Sequence, residues 1–231
     1  MLKKFKNYKI YFSDDYKNFD PKEILNILHH PQQKNSNILG GRGSIKVGDL
    51  KDIGPVVIKE FFRGGFFGNI NKNYFLVSKR IRPQIEYEFI LKAKNLGINV
   101  PEPIGYFSRG TIFYRGWLIM KMINIKSNFA DLSMKENQFT RELMPKLIEY
   151  FEKLIENRIF HSDLHPGNVL VDKDNKLFLI DFDKASYFKG NRNKLRDTYL
   201  FRWRRAVLKH KLPDYLSEYV CAGLRKQFSN E

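Results

Sequence analysis

Apolar residues fall in short blocks or alternate with polar ones through most of the first 123 positions, and after Phe139 they recur three and four apart. The first pattern is that of strands, the second that of helices with one buried face. A short strand is predicted at Tyr8–Phe12 and a helix from about Pro21, where proline suits a first helical turn. ILGGRGSIKVG at Ile38–Gly48 reads as a strand, a glycine-rich turn and a second strand, and PVVIKEFF at Pro55–Phe62 is a β-branched apolar run of buried-strand character. A loop with Gly64, Gly65 and Gly68 follows, then a helix around Pro83–Leu96 that stops at Gly97. VPEPIGYF and TIFYRGWLIMKMI, separated by Arg109-Gly110, are two further strands joined by a turn.

The second half reads differently. Leu143, Leu147, Tyr150, Phe151 and Leu154 give Phe139–Asn157 a helical period. VLVDKDNKLFLIDF is a hairpin, apolar on both arms with a polar turn at Asp172–Lys176, and two basic amphipathic helices close the chain. The resulting class is α+β in a single domain: a small, mainly β N-terminal lobe of about residues 1–122 and a mainly α C-terminal lobe of about 123–231. No internal repeat or low-complexity linker interrupts it.

Length and composition narrow the setting. The 231 residues, 42% apolar and 15% aromatic, are enough for a substantial core and exclude general disorder. One cysteine, Cys221, excludes an intramolecular disulfide framework; on a C-terminal helix it is expected to be a small buried hydrophobe. No run approaches the roughly 20 apolar residues of a membrane span, and the basic start MLKKFKNYKIYF lacks the apolar core of a signal peptide. A soluble cytoplasmic protein is expected. The formal charge of +16 draws the chain toward an anionic partner. That charge is concentrated: Arg63–Arg82 holds five basic residues and no acid, and Lys189–Lys211 holds nine against the single Asp197.

The chemistry-bearing signal is HSDLHPGN at His161–Asn168 followed by IDFD at Ile180–Asp183. It sets Asp163, Asn168 and Asp181 five and thirteen residues apart, on a loop and then at a strand end. Phosphoryl transfer from nucleotide to hydroxyl needs such a trio: a carboxylate for the hydroxyl proton, and an amide and a second carboxylate for magnesium. The segment resembles the catalytic and metal-binding loops of the protein-kinase-like superfamily, with IDFD in place of DFG. The resemblance implies a two-lobed kinase-like fold using ATP and Mg2+. Asp163 is then the catalytic base, and Asn168 and Asp181 the metal ligands. His161 is expected to pack and hydrogen-bond. A His161–His165 metal pair is disfavoured because Pro166 and Gly167 lie in the same loop. Asp183 is left open between metal ligand, partner of Lys184 and stabilising acid; with no APE-like segment, activation-loop regulation is not expected.

Upstream, Lys59 matches the strand lysine that pairs nucleotide phosphates. Its helix partner is Glu86 or Glu88, and alignment back from Gly97 favours Glu86. Gly41 and Gly43, with Gly40, let backbone approach the phosphates, although a plain hairpin turn would read the same way. Adenine would bond to backbone near Met120–Met122, with Met120 and Met122 as its contacts.

FFRGGFFGNINKNYF at Phe61–Phe75 selects a group within that superfamily. It resembles the RGG-x-x-G-K-x-x-K/N-D-x-Y segment of 3-deoxy-D-manno-octulosonic acid (Kdo) kinases, in the lipopolysaccharide-core kinase group. The similarity runs from about Gly40 to Arg205, departing at Asn69, where lysine is common, and loosening over Lys189–Arg205. It implies ATP-dependent phosphorylation of a Kdo hydroxyl, normally the 4-OH, on a lipid A-linked inner core. The acceptor would be an anionic glycolipid met by Arg63, Lys72, Arg80 and Arg82, whose charges suit carboxylate and phosphate. Phe66 and Phe67 would either pack or touch acyl chains. The protein would work peripherally on the cytoplasmic face of the inner membrane, as a monomer, with no nucleic-acid partner. The alternatives are a heptose kinase of the same core, a small atypical protein kinase of the RNA-modification or ribosome-maturation type, and a nonenzymatic module binding nucleic acid or lipid.

Overall fold

The computed structural model describes residues 2–31, 45–62 and 74–227, and its contacts divide the chain into two compact units, 1–91 with 101–123 and 92–100 with 124–231. The first contains β1 (Leu2–Phe5), β2 (Tyr8–Phe12), α1 (Pro21–His29), β3 (Ile45–Leu50), β4 (Gly54–Glu60), β5 (Phe75–Leu76), most of α2 (Arg82–Asn95), β6 (Pro103–Gly110) and β7 (Phe113–Lys121). Its seven strands form one antiparallel sheet in the order β1-β2-β6-β7-β4-β3, with β5 also on β7. Asp20 caps α1, accepting from the Lys22 N–H at 2.9 Å ahead of Pro21. The apolar stripe Ile24, Leu25, Ile27 and Leu28 then closes over Ile10, Phe12, Val56, Ile58, Phe107 and Ile119.

The other helix of this unit mixes apolar and charged positions, with Pro83, Glu86, Tyr87, Phe89 and Ile90 buried and Arg82, Gln84 and Glu88 at its margins. Its entry is fixed by contact: a Cβ on Gly116 of β7 would lie 2.6 Å from the Pro83 ring, and the Tyr114 hydroxyl accepts from the Arg82 N–H at 3.0 Å. Its stop is Gly97, at φ +72° in the left-handed region that favours glycine.

The second unit is mainly helical. It holds β8 (Ile125–Asn128), α3 (Phe129–Lys135), α4 (Asn137–Glu156), β9 (Ile159–Phe160), β10 (Val169–Asp172), β11 (Leu177–Leu179), β12 (Ser186–Tyr187), α5 (Arg192–Lys209) and α6 (Tyr215–Gln227). The predicted hairpin is β10–β11, in register from Val169↔Leu179 to Val171↔Leu177, with β8 on the outer side of β10. α4 carries the core: Met144, Leu147, Tyr150, Phe151, Leu154 and Ile155 are all fully buried. The Phe151 ring meets Tyr199 and Trp203 of α5 edge-on at 5.3 and 5.2 Å, and the Trp203 indole N–H donates to the Leu216 carbonyl of α6 at 2.9 Å.

The expected order, mainly β then mainly α, is therefore present. The differences are local. β1, β5, β8, β9, β12 and α3 are too short for a periodic signal. Residues 92–100 group with the second unit. Cys221 lies on α6 as expected but is half-buried, not buried.

Removing the Phe151 ring strips both edge-on contacts from a site with 0% exposure. Phe151→Ala is expected to lower unfolding free energy by about 3–5 kcal/mol, read from denaturant titration; a loss below about 1 kcal/mol would contradict this account of the core.

Candidate active site

In the first unit the central feature is an ion pair. Lys59 sits on β4 opposite Leu118 of β7 and Ile45 of β3, and its ammonium reaches both Glu86 carboxylate oxygens, at 2.8 and 2.9 Å. Glu86 is 1% exposed and Lys59 18%. A carboxylate this buried is tolerable only with a cation against it, so Glu86 in turn fixes the direction of the lysine. Glu88 does not compete. Its carboxylate bonds Arg80 and accepts from the Gln84 amide at 3.0 Å.

In the second unit the loop after β9 is held by its own polar groups. His161 is buried, and desolvation pulls its pKa below the usual imidazole value, keeping the ring neutral. Its partners then set the tautomer: Nε2–H donates to the Ile180 carbonyl at 2.9 Å, and Nδ1 accepts from the Asp163 N–H at 3.3 Å. The Phe182 ring lies 4.4 Å from the imidazole. The Tyr199 hydroxyl accepts from the His161 N–H at 2.7 Å and donates to the Ile159 carbonyl at 2.8 Å; its burial raises its pKa far above the usual phenol value. Arg202 donates to the Ser162 carbonyl, one residue before Asp163.

The candidate trio is linked through the main chain. The Asn168 amide N–H donates to the Asp163 carbonyl at 2.8 Å, and the Asn168 carbonyl accepts from the Ile180 N–H at 3.1 Å. Asp163 and Asn168 are thus bonded directly, and Asp181 begins one residue beyond the second bond. The Asp163 side chain is exposed, Asn168 is buried and Asp181 is half-buried. Asp181 stands at φ +66°, in the left-handed region that aspartate tolerates better than most residues.

The donor chemistry suits a hard cation. With its N–H group engaged, the Asn168 amide has Oδ1 to offer, and Asp181 contributes a carboxylate. Among the described residues no group of three His, Cys, Asp or Glu side chains could hold a metal by itself. Such a small donor set fits Mg2+, which completes its shell with water and substrate phosphates. The imidazoles do not form a metal pair: both His161 nitrogens are engaged, and His165 Nδ1 accepts from the Gly167 N–H at 3.1 Å.

The remaining candidates divide. Gly41, Gly43, Arg63 and Lys72 lie outside the described residues, as do Phe66 and Phe67. The Met122 N–H already donates to the Pro55 carbonyl at 3.0 Å, so that amide is not available to a base, and Met120 is paired with Val57 inside the sheet. Arg82 is a strap, donating to the Phe62 carbonyl at 3.2 Å with its guanidinium 4.8 Å from the Phe75 ring. Arg80 pairs with Glu88 but is 44% exposed. Asp183 is half-buried and engaged within the chain. Tyr199 and Arg202 were not singled out from sequence; helical spacing could mark Tyr199 as buried, but nothing local marks its hydroxyl or Arg202 as supports of the loop.

Burial holds His161 and His165 neutral, each below its unfolded value of 6.5. The unfolded chain binds more protons below that value, so stability is fully present above about pH 6.5 and falls as pH drops through it. The thermal midpoint should therefore decline from pH 7 toward 5, and less steeply in His161→Asn; equal slopes would remove His161 as a cause.

Residues 32–218 match the model of the lipopolysaccharide kinase (Kdo/WaaP) family. The chain is 30% identical over 212 residues to the 3-deoxy-D-manno-octulosonic acid kinase of Mannheimia succiniciproducens, covering 86% of this chain and 87% of that protein. It is 29% identical over 189 residues to the Pasteurella multocida protein of the same name, covering 77% and 78%. For that of Vibrio cholerae serotype O1 the figures are 25% over 205 residues, 83% and 85%.

Proposed function

The chain belongs to the lipopolysaccharide kinase (Kdo/WaaP) family, and we propose that this Kdo kinase, a phosphotransferase with an alcohol acceptor, phosphorylates the 4-hydroxyl of Kdo on the lipid A-linked inner core. The observation that carries the reading is the bonded arrangement of Asp163, Asn168 and the main chain beside Asp181. It holds a solvent-facing carboxylate at a fixed offset from an amide oxygen and a second carboxylate.

Bound ATP would supply the γ-phosphoryl group, and Mg2+ would offset the negative charge on its phosphates. Asp163 orients the Kdo hydroxyl and takes its proton as the new oxygen–phosphorus bond forms and the bond to the departing ADP oxygen breaks. Asn168 Oδ1 and the Asp181 carboxylate would hold the cation. Lys59, its ammonium fixed by Glu86, bonds phosphate oxygens and neutralises charge. Arg80 is the described candidate for meeting the acceptor's carboxylate or phosphates. Among the described residues no helix is long and apolar enough to cross a membrane. We place the enzyme peripherally on the cytoplasmic face of the inner membrane, where its acceptor is presented, with no nucleic-acid partner and acting as a monomer.

The test is transfer from γ-labelled ATP with Mg2+ to a Kdo-bearing lipid A precursor and to a heptose-bearing acceptor, with products resolved by mass. One added phosphate on Kdo is expected; phosphate only on heptose would overturn the acceptor. Asp163→Ala should lower turnover by roughly 10²–10⁴-fold with folding intact. Asp181→Asn, which keeps the left-handed backbone accessible, should remove Mg2+-dependent nucleotide binding; unchanged nucleotide affinity would take the metal role away from Asp181.

A further inference from the structure

α5 is an 18-residue helix with two different faces. Leu195, Tyr199, Trp203 and Val207 are buried against the rest of the second unit, which fixes the rotation of the helix. Directly opposite, at i, i+3, i+4 and i+7, stand Phe201, Arg204, Arg205 and Leu208. All four are exposed, Phe201 at 68% and Leu208 at 61%. Lys209 at the end of the helix and His210 and Lys211 just past it continue the exposed surface.

Both halves of this stripe are costly in water. Two large apolar side chains lie about 10 Å apart along the helix with no cover from the described residues. Between and beyond them Arg204, Arg205, Lys209 and Lys211 make no ion pair with any described residue. Lys209 and Lys211 at the end of the stripe are of the type depleted from the core of a protein interface, and the only carboxylate of α5, Asp197, lies paired with Arg196, so the cations of this face are left for an anionic surface. The stripe matches a helix lying in the plane of an anionic lipid surface: the apolar tips enter the acyl boundary while long cationic side chains stay at the headgroups.

We propose that the Phe201–Leu208 face of α5 is the surface by which the protein docks on an anionic membrane. The proposal deepens the reading of a lipid-linked acceptor and rests on it for its setting. The basic charge of residues 189–211 supplies attraction to headgroups, and Phe201 and Leu208 supply the depth of insertion.

The experiment is co-sedimentation of the full chain with phosphatidylcholine vesicles, with and without phosphatidylglycerol. Binding is expected only to the anionic vesicles and should weaken as salt rises. Arg204→Glu with Arg205→Glu should lower the partition coefficient by about tenfold or more, and Phe201→Ser with Leu208→Ser should lower it at any salt concentration. Both double variants should retain transfer to a short, water-soluble Kdo acceptor, which also shows that they fold. Unchanged vesicle binding in both variants, or no binding by the unaltered chain, would overturn the proposal. So would self-association that the Phe201/Leu208 variant abolishes, since the face would then cover a second copy. If no Kdo acceptor is phosphorylated while vesicle binding persists and fails in the variants, the docking face stands and the acceptor assignment falls.

Discussion

A neutral imidazole buried where a loop meets the end of a strand holds the chemistry-bearing part of the second unit together. His161 gives its one N–H to Ile180 and accepts the Asp163 N–H on the other nitrogen. Charging that ring would place a proton where Asp163 already donates one, and would desolvate a cation inside an apolar shell that includes Phe182. Its neutrality is therefore a condition of the loop's shape. The Tyr199 hydroxyl closes the arrangement from behind, joining the His161 amide to the Ile159 carbonyl. With the polar main chain satisfied internally, the Asp163 carboxylate is free of structural duty and can serve chemistry.

The first unit solves a related problem with charge. A glutamate at 1% exposure is expensive by itself, and losing its lysine would take a cation from a buried carboxylate, a change worth about 3–5 kcal/mol in comparable pairs. The pair is hence a constraint on helix placement. Pro83 seated on Gly116 and Tyr114 on the Arg82 amide bring α2 to the position from which Glu86 can reach Lys59.

What could be read from the chain alone follows from how local each signal is. Lys59 and Glu86 emerge from a β-branched strand and a count back from Gly97, and Asp163, Asn168 and Asp181 from spacing within twenty residues; the structure pairs the first two, bonds Asn168 to Asp163, and bonds Asn168 to Ile180, the residue before Asp181. The β10–β11 hairpin and α4 declare themselves by period. Short strands such as β8 and β12 exist only through their partners, so no local pattern marks them. Tertiary contacts also account for the individual differences. The Met122 amide is taken by Pro55, Arg82 is drawn over Phe75, and Cys221 falls at the margin of the stripe Leu216, Val220 and Leu224 that α6 buries. Arg202 supports the loop from forty residues away, a distance over which sequence spacing carries no information.

The left-handed backbone at Asp181 imposes two separate filters on one codon. The main chain there accepts aspartate, asparagine or glycine and penalises β-branched residues; the cation-holding role proposed for Asp181 accepts only the carboxylate. A duplicated copy of this protein released from selection for phosphoryl transfer would lose the second filter first. Its position 181 would then drift to asparagine or glycine while the fold persisted. The residue found there in a diverged relative should thus report whether that relative is still under selection as an enzyme.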